Sequence, residues 1–331
     1  LPKFLIIRFS SIGDIVLTTP VVRCLKKQVP DAEIHFLTKY AFRSILEHNP
    51  YIDHLHLMKD DLNAVIHDLK NFQFDHIIDL HHNLRTLQVK RGLGRPSFSF
   101  DKLNIEKWLL TNFKIDRLPP VHIVDRNLET VKSFGVVNDG AGLDYFIGPD
   151  ELVKSEDIPT SHIAGYVGVV IGAALATKKM PVEKLKEVCS QIPHPVMLLG
   201  GPEDREEGDQ IAAFDPERIY NACGRFSLNE SADLVRKAKL IVTHDTGLMH
   251  IAAAFGKPII SIWGNTVPGF GMGPYYGSRI VPHKSFEVEG LRCRPCSKIG
   301  HKKCPKGHFK CMVLQPTGQI AKAAMDMLGL P

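Results

Sequence analysis

KLIVTHDTGLMHIAAAFGKPIISIW, residues 239–263, decides the fold. Lys239 to Thr243 is a short apolar run that reads as a buried strand, and Leu248, Ile251, Ala252 and Phe255 follow at i, i+3, i+4 and i+7, one face of a helix. Gly256 and then Pro258 end that helix, and Ile259 to Trp263 reads as the next strand. The unit is βαβ, the repeating element of a parallel sheet. Between strand and helix lie Asp245, Thr246 and Gly247, where free backbone N–H groups at the positive end of the helix favour an anion. The same tripeptide would serve as a plain helix cap. His250 lies off the centre of the apolar face, where it either reaches a ligand or is a partly exposed helical histidine.

Outward from this unit, the alternation of strands and helices continues in both directions. Strands are expected near 3–9, 33–38, 54–58, 74–80 and 96–100 in the first half, and near 166–172, 195–200, 217–221, 239–243 and 259–263 in the second. With 331 residues and 44% hydrophobic composition, the chain is long enough for two good cores. The expected fold is α/β, with two Rossmann-like, doubly wound parallel-sheet domains. Residues 142–161, rich in Gly, Pro and acidic side chains, are the linker candidate.

The N-terminal counterpart of the DTG turn is SSIGD, Ser10 to Asp14, directly after the apolar strand KFLIIRF. It lacks the GxGxxG dinucleotide fingerprint, which argues against a nicotinamide-dependent oxidoreductase. It offers hydroxyls and one carboxylate, Asp14, and a lone Asp after a strand reads equally as a turn or cap residue. Between Leu80 and Phe100 there is no acidic residue, while Arg85, Lys90, Arg91 and Arg95 accumulate. That run is either a cradle for an acidic acceptor or a solvated helix face. His81 and His82 lie at a strand's carboxyl end, where ligands of open parallel sheets gather.

The formal net charge of +5 is modest, and the aromatic residues are spread along the chain rather than interleaved with the basic run. No nucleic-acid module is recognisable, so a nucleic-acid-binding protein using the basic run and the cysteines is the weaker alternative. No stretch reaches the roughly 18 apolar residues of a membrane span, and the chain is expected to be cytoplasmic. Of seven cysteines, Cys24, Cys189 and Cys223 are scattered, whereas Cys293, Cys296, Cys304 and Cys311 crowd a basic loop with His301 and His308. Such spacing suits a closed structural zinc site, and equally free thiols.

RFSSIGDIVLTTPVVRCLKKQVPDAEIHFLT and VTHDTGLMHIAAAFGKPIISIWGNTVPG together resemble the glycosyltransferase family that contains the ADP-heptose:lipopolysaccharide heptosyltransferases. IGAALATKKMP (Ile171 to Pro181) and GGPEDREE (Gly200 to Glu207) resemble that family's lysine loop and ribose-binding turn. The resemblance implies the GT-B architecture, with the site in the cleft between an acceptor-binding domain (1–155) and a nucleotide-sugar-binding domain (156–312), and a terminal helix (313–331) returning toward the first domain.

It also implies an inverting transfer of heptose from an ADP-sugar donor to a hydroxyl of the lipopolysaccharide core. Asp14 would be the general base and Lys178 the diphosphate contact. Asp204, Phe226, Asp245, Thr246, Gly247 and His250 would bind the donor, and Ser10, Ser11 and Arg85 the acceptor. The resembled reaction needs no metal or other cofactor, and the lipid-borne acceptor implies peripheral contact with the inner face of the cytoplasmic membrane. Ala173 and Ala174 stand where part of the family has hydroxyls, with only Thr177 nearby, and Met180 replaces an aromatic, so another nucleotide sugar, handled by a transferase or an epimerase, is the close rival.

Overall fold

The computed structural model describes residues 1–330. Among the described residues, eleven strands form two all-parallel sheets. The first holds β1 (Lys3–Ile7), β2 (Glu33–Lys39), β3 (His54–Met58), β4 (His76–Asp79) and β5 (Ser97–Ser99), in the order β3-β2-β1-β4-β5. The second holds β6 (Val167–Val170), β7 (Val196–Leu199), β8 (Ile219–Asn221), β9 (Leu240–His244), β10 (Ile259–Trp263) and β11 (His283–Glu287), in the order β11-β10-β9-β6-β7-β8. All ten strands expected from the sequence are present, each within a few residues of its expected span. The central ones are mostly apolar because crossover helices bury both faces of a parallel sheet.

β11 was not expected. Of its five residues HKSFE, three are exposed and only Phe286 is buried, so this edge strand carries no apolar run to announce it.

In both sheets the chain winds outward from a central strand and then crosses to the other side. The strand order therefore reverses between β1 and β4 in the first sheet and between β6 and β9 in the second. Open parallel sheets bind ligands beyond the carboxyl ends of the strands at such a reversal. SSIGD follows β1 and the DTG turn follows β9.

Two compact units result, and they interleave in sequence. One comprises residues 1–102, 121–146 and 275–279; the other comprises 103–120, 147–274 and 280–331. The expected linker contains the change at 146/147, but single cuts at 155 and 312 do not describe the division. Residues 275–279 join the first unit through local polar bonds: Ser278 donates its backbone N–H to Gly140 O at 2.7 Å, and Asn138 Nδ2 donates to the Tyr275 hydroxyl at 2.6 Å. Arg23, 2% exposed, fastens the neighbouring loop to helix Thr19–Gln28 by a fork onto both Asp139 oxygens, each at 2.8 Å, and by contacts to Asp144 and Gly142 O. Its grip pulls the Asp139 carboxyl down to about 2.

The terminal helix, Thr317–Leu328, completes the core of the second unit. Ile320, Ala321, Ala323 and Ala324 pack into the cluster that holds Val169, Leu185, Val188 and Val242, and Thr317 Oγ1 donates to Glu187 at 2.9 Å.

Candidate functional site

In the first unit, β1 ends at Ile7 and a five-residue helix, Ile12–Val16, begins after Ser11. Asp14 sits in its first turn, where a carboxylate is favoured by the helix dipole. Its Oδ2 accepts from Ser11 Oγ at 2.8 Å and from Ser11 N at 3.2 Å, while Oδ1 pairs with Arg8 Nη2 at 2.7 Å. The capping reading is therefore true of Asp14, yet about a quarter of the side chain remains exposed. Arg8 is buried, held by Ser10 O at 2.8 Å and by Leu80 O, and its guanidinium lies 5.9 Å from the centre of the Phe100 ring. One buried cation thus joins the ends of β1 and β4. Ser10 is half-buried and Ser11 is exposed.

Across the strand reversal, the buried Asp79 accepts from the backbone N–H groups of His81 (3.1 Å) and His82 (2.7 Å) and pairs with Lys90 at 2.9 Å. His81 stacks edge-on against Phe9. Burial, then the charges of Arg8 and Lys102, push its imidazole down to about 4, and its buried Nδ1 has no hydrogen-bond partner. His82 is exposed and its Nδ1 lies 3.0 Å from Phe100 O. Arg85 stands exposed in the first turn of helix Leu84–Leu93, whereas Lys90 of the same basic run is committed to Asp79 and Ser99.

In the second unit, Lys178 lies in the loop after β6. Its Nζ is 2.6 Å from Asp245 Oδ2 and 3.4 Å from Asp245 O. Thr266 Oγ1, after β10, donates to the same Asp245 oxygen at 3.0 Å. The cap of helix Gly247–Ala254 is Thr246, not Asp245, and the Thr246 side chain makes no capping bond; its hydroxyl is 3.3 Å from Thr243 Oγ1. Asp245, Thr246 and Gly247 are all partly exposed. Side-chain capping does not occupy this helix end, so its first N–H groups, beside an ammonium, are what an anion needs.

Two of the expected donor contacts are placed otherwise. Asp204 is 2% exposed, and its carboxylate is taken by Lys179 Nζ (2.7 Å) and Gly201 N (2.9 Å). A Cβ at Gly172 or Gly200 would collide with that carboxylate, so both glycine loops close over Asp204. Burial opposes charge on Lys179, but hydrogen bonds to Asp204 and Glu207 hold its ammonium above the ordinary value. His250 is also buried, not partly exposed. Phe226 is half-buried just before the capping Ser227 of helix Leu228–Lys237.

Sequence reasoning passed over His244, the last residue of β9. It is fully buried, and its Nε2 accepts the Met180 N–H at 3.0 Å, pinning the lysine loop to the sheet. An accepting Nε2 assigns the proton to Nδ1, and burial pushes the imidazole down to about 3. In the unfolded chain this histidine binds a proton near its ordinary value of 6.5. Its stabilising contribution is therefore complete above that pH and is lost as pH falls toward 3, at about 1.4 kcal/mol per pH unit. Denaturant titrations of the second unit from pH 7 to 4 should show this slope, and His244→Gln, whose amide oxygen can still accept the Met180 N–H, should flatten it. An unchanged slope in the variant would remove His244 as the source.

Thr177, the lone hydroxyl of the lysine loop, is also buried. It exchanges hydrogen bonds with His301: His301 N donates to Thr177 Oγ1 at 2.8 Å, and Thr177 N to His301 O at 3.2 Å. The cysteine-rich loop thereby braces the loop that carries Lys178. Arg294 anchors the same segment to the turn after β10, donating to Gly264 O and, at 2.9 Å, to Thr266 O. All four clustered cysteines are free thiols. Burial, then its neighbours Cys296, Cys304 and Cys293, drives Cys311 up to about 11. Four thiols whose charges oppose one another match the donor set of structural zinc in kind. Among the described residues, however, no three of these sulfur and imidazole donors fall within 4.8 Å of one another, although Cys293 Sγ lies 3.8 Å from His308 Nε2.

The model of glycosyltransferase family 9 (heptosyltransferase) matches residues 62–299, well over half of the chain. The chain belongs to glycosyltransferase family 9. Among its relatives, lipopolysaccharide heptosyltransferase 1 of Campylobacter coli is 28% identical over 294 residues, covering 80% of this chain and 84% of that one. A family 9 glycosyltransferase structure from Veillonella parvula superposes with a TM-score of 0.77 at 25% identity, covering 99% of this chain and 97% of the other. The E. coli ADP-heptose lipopolysaccharide heptosyltransferase II structure gives 0.74 at 19% identity and 98% coverage of both, a likeness of fold. The protein is thus a glycosyltransferase with two Rossmann-like parallel sheets.

Proposed function

We propose that this family 9 enzyme transfers a heptose from ADP-heptose to a hydroxyl of the lipopolysaccharide inner core, with inversion at the anomeric carbon. The single observation that carries the reading is the Lys178–Asp245 pair set at 2.6 Å beside the open amino end of helix Gly247–Ala254, an ammonium and free N–H groups together suited to a leaving diphosphate. The names of the relatives support heptose and lipopolysaccharide as substrates. Asp14 takes the acceptor proton as the hydroxyl attacks. Lys178 and the N–H groups at Thr246 and Gly247 receive the charge that develops on ADP.

Phe226 offers its face to the adenine. Asp204 positions the two glycine loops and Lys179, and contacts the ribose only through that arrangement. His250, being buried, acts through helix packing. Ser11 orients Asp14, Ser10 holds Arg8 through its carbonyl, and Arg85 meets acidic groups of the acceptor. The transfer itself uses no metal or cofactor in this reading, and the cysteine loop steadies Thr177 through His301.

The test is mass-spectrometric detection of heptose transfer from ADP-heptose to a deacylated core acceptor. No product, with another nucleotide sugar binding in place of ADP-heptose, would move the assignment to that donor.

A peripheral contact with a lipid-borne acceptor is supported by one exposed apolar helix. No helix among the described residues is long and apolar enough to cross a membrane. Helix Asn104–Phe113 has no buried residue, and Ile105 (71%), Trp108 (54%) and Phe113 (58%) stand exposed on it, followed by Ile115. Lys107, Lys114 and Arg117 lie among them. Aromatic and basic side chains on a short amphipathic helix suit the headgroup region of an anionic bilayer. The helix falls within residues 1–155 but belongs to the second unit, so membrane contact is assigned to this segment rather than to the N-terminal domain as a whole. Replacing Trp108 and Phe113 by Ser should abolish co-sedimentation with phosphatidylglycerol vesicles while transfer to a deacylated acceptor continues. Undiminished co-sedimentation would refute the assignment.

A further inference from the structure

The first sheet carries a second cluster of ionisable groups, at the amino ends of its strands and thus at the opposite end from Asp14. Glu33 and His54 are the first residues of the paired strands β2 and β3, and His35 lies directly opposite His54 in the register. Alternation along a strand puts Glu33 and His35, and likewise His54 and His56, on one face. Glu33 Oε1 is 2.9 Å from His35 Nε2 and 3.3 Å from His54 Nε2. The three ligand atoms lie within 4.8 Å of one another.

We infer that Glu33, His35 and His54 form a binding site for a divalent transition-metal ion of the zinc class, with His56 orienting His35 from behind. An imidazole–imidazole–carboxylate set is a borderline donor set that suits zinc, nickel or copper better than magnesium or calcium, which favour oxygen. Ligands at 2.0–2.2 Å around a tetrahedral ion stand about 3.3 Å apart, so the Glu33–His54 spacing already fits and the Glu33–His35 spacing must widen by a few tenths of an ångström.

The support behind the ligands is also in place. His35 is fully buried, and its other ring nitrogen, Nδ1, is 2.9 Å from His56 Nε2. A metal-ligating histidine commonly has its second nitrogen fixed in this way. With metal on Nε2, the proton of His35 sits on Nδ1 and is donated to His56. Phe72 and Phe74 pack edge-on to the His35 ring at 5.0 and 4.9 Å, giving the site an apolar wall. His54 is half-exposed and stacks on His35 at 4.5 Å; a turn of its ring aims Nε2 at the shared ion and leaves the outer coordination position to water. Lys3 pairs with the other carboxylate oxygen of Glu33 at 3.5 Å, leaving Oε1 to the imidazoles. Because β3 is the edge strand, an ion here would clip the edge of the sheet to its neighbour.

The probe is Zn²⁺ added to the metal-stripped full chain, with uptake counted by elemental analysis and affinity measured by calorimetry. A Cys293→Ser/Cys296→Ser background removes thiolate binding by the other loop. On that background one equivalent of zinc should still bind, with a rise in thermal midpoint. His54→Ala and Glu33→Gln should each lose that equivalent, and His56→Phe should bind about 10- to 100-fold more weakly. Cobalt bound in the same background should show visible bands without sulfur charge transfer. Circular dichroism of the His54→Ala protein, altered at a half-exposed position, controls for folding. Zinc uptake that is absent from the cysteine-altered protein, or equal in it and in its folded His54→Ala form, would overturn the site.

Discussion

Asp14→Asn should reduce heptose transfer about 1,000-fold, within the 10²–10⁴ range of a positioned general base, while ADP-heptose binding stays within a few-fold of the native protein. The asparagine oxygen can still accept one of the bonds that Arg8 and Ser11 now make to Asp14, so the short helix Ile12–Val16 should persist and the loss be read as chemistry. Donor affinity is the discriminating control because Lys178 and the helix end proposed to hold the diphosphate lie in the other unit. Ser11→Ala removes only the 2.8 Å bond to Asp14 Oδ2. An ordinary hydrogen bond contributes about 0.5–1.5 kcal/mol, so the rate should fall roughly two- to tenfold. If Asp14→Asn retained a tenth or more of the native rate, the base would have to be sought elsewhere. His81, with its unpartnered Nδ1 across the strand reversal, would come first.

The hydrophobic pattern carried most of the fold. Runs such as Phe4 to Ile7 and Ile259 to Trp263 are buried on both faces, and a sheet covered by helices on each side leaves that signature in sequence. β11 left none because an edge strand with one buried side chain has no apolar run to show. The interleaving of the units was equally hidden. Residues 275–279 are placed by hydrogen bonds to Gly140 and Asn138, and no local periodicity records a bond between positions so far apart in the chain.

For the candidate site, the motifs located the loops but not the duties of each side chain. That Lys178 meets Asp245 is set by the pairing of β6 with β9, whose carboxyl ends carry the two loops. That Asp204 would be spent on Lys179, or Thr177 on His301, depends on which way side chains turn in the folded loops. His244 was overlooked for a related reason. A histidine ending a strand reads as a polar boundary residue until the Met180 N–H bond shows it buried.

Lys178→Met should lower kcat about 100- to 1,000-fold and change KM far less. In the resting site the ammonium is matched by the Asp245 carboxylate 2.6 Å away, and Thr266 steadies that carboxylate. An incoming diphosphate therefore meets a nearly neutral pair plus the helix end, and ground-state binding draws mainly on the N–H groups at Thr246 and Gly247. As the bond from sugar to phosphate breaks, the diphosphate gains a further negative charge, and only then does the ammonium have reason to turn from Asp245 toward it. An interaction made chiefly in the transition state appears in kcat rather than in KM, and loss of one such preorganised donor costs about 10²–10³ in rate. Asp245→Asn tests the same logic from the other side. With its counter-charge gone, Lys178 should bind ADP more tightly at the start, lowering KM and slowing release, while the chemical step loses the positioning of the ammonium. A Lys178→Met enzyme defective only in KM would make this lysine a binding residue, and one with native kinetics would leave the helix end alone to stabilise the leaving group.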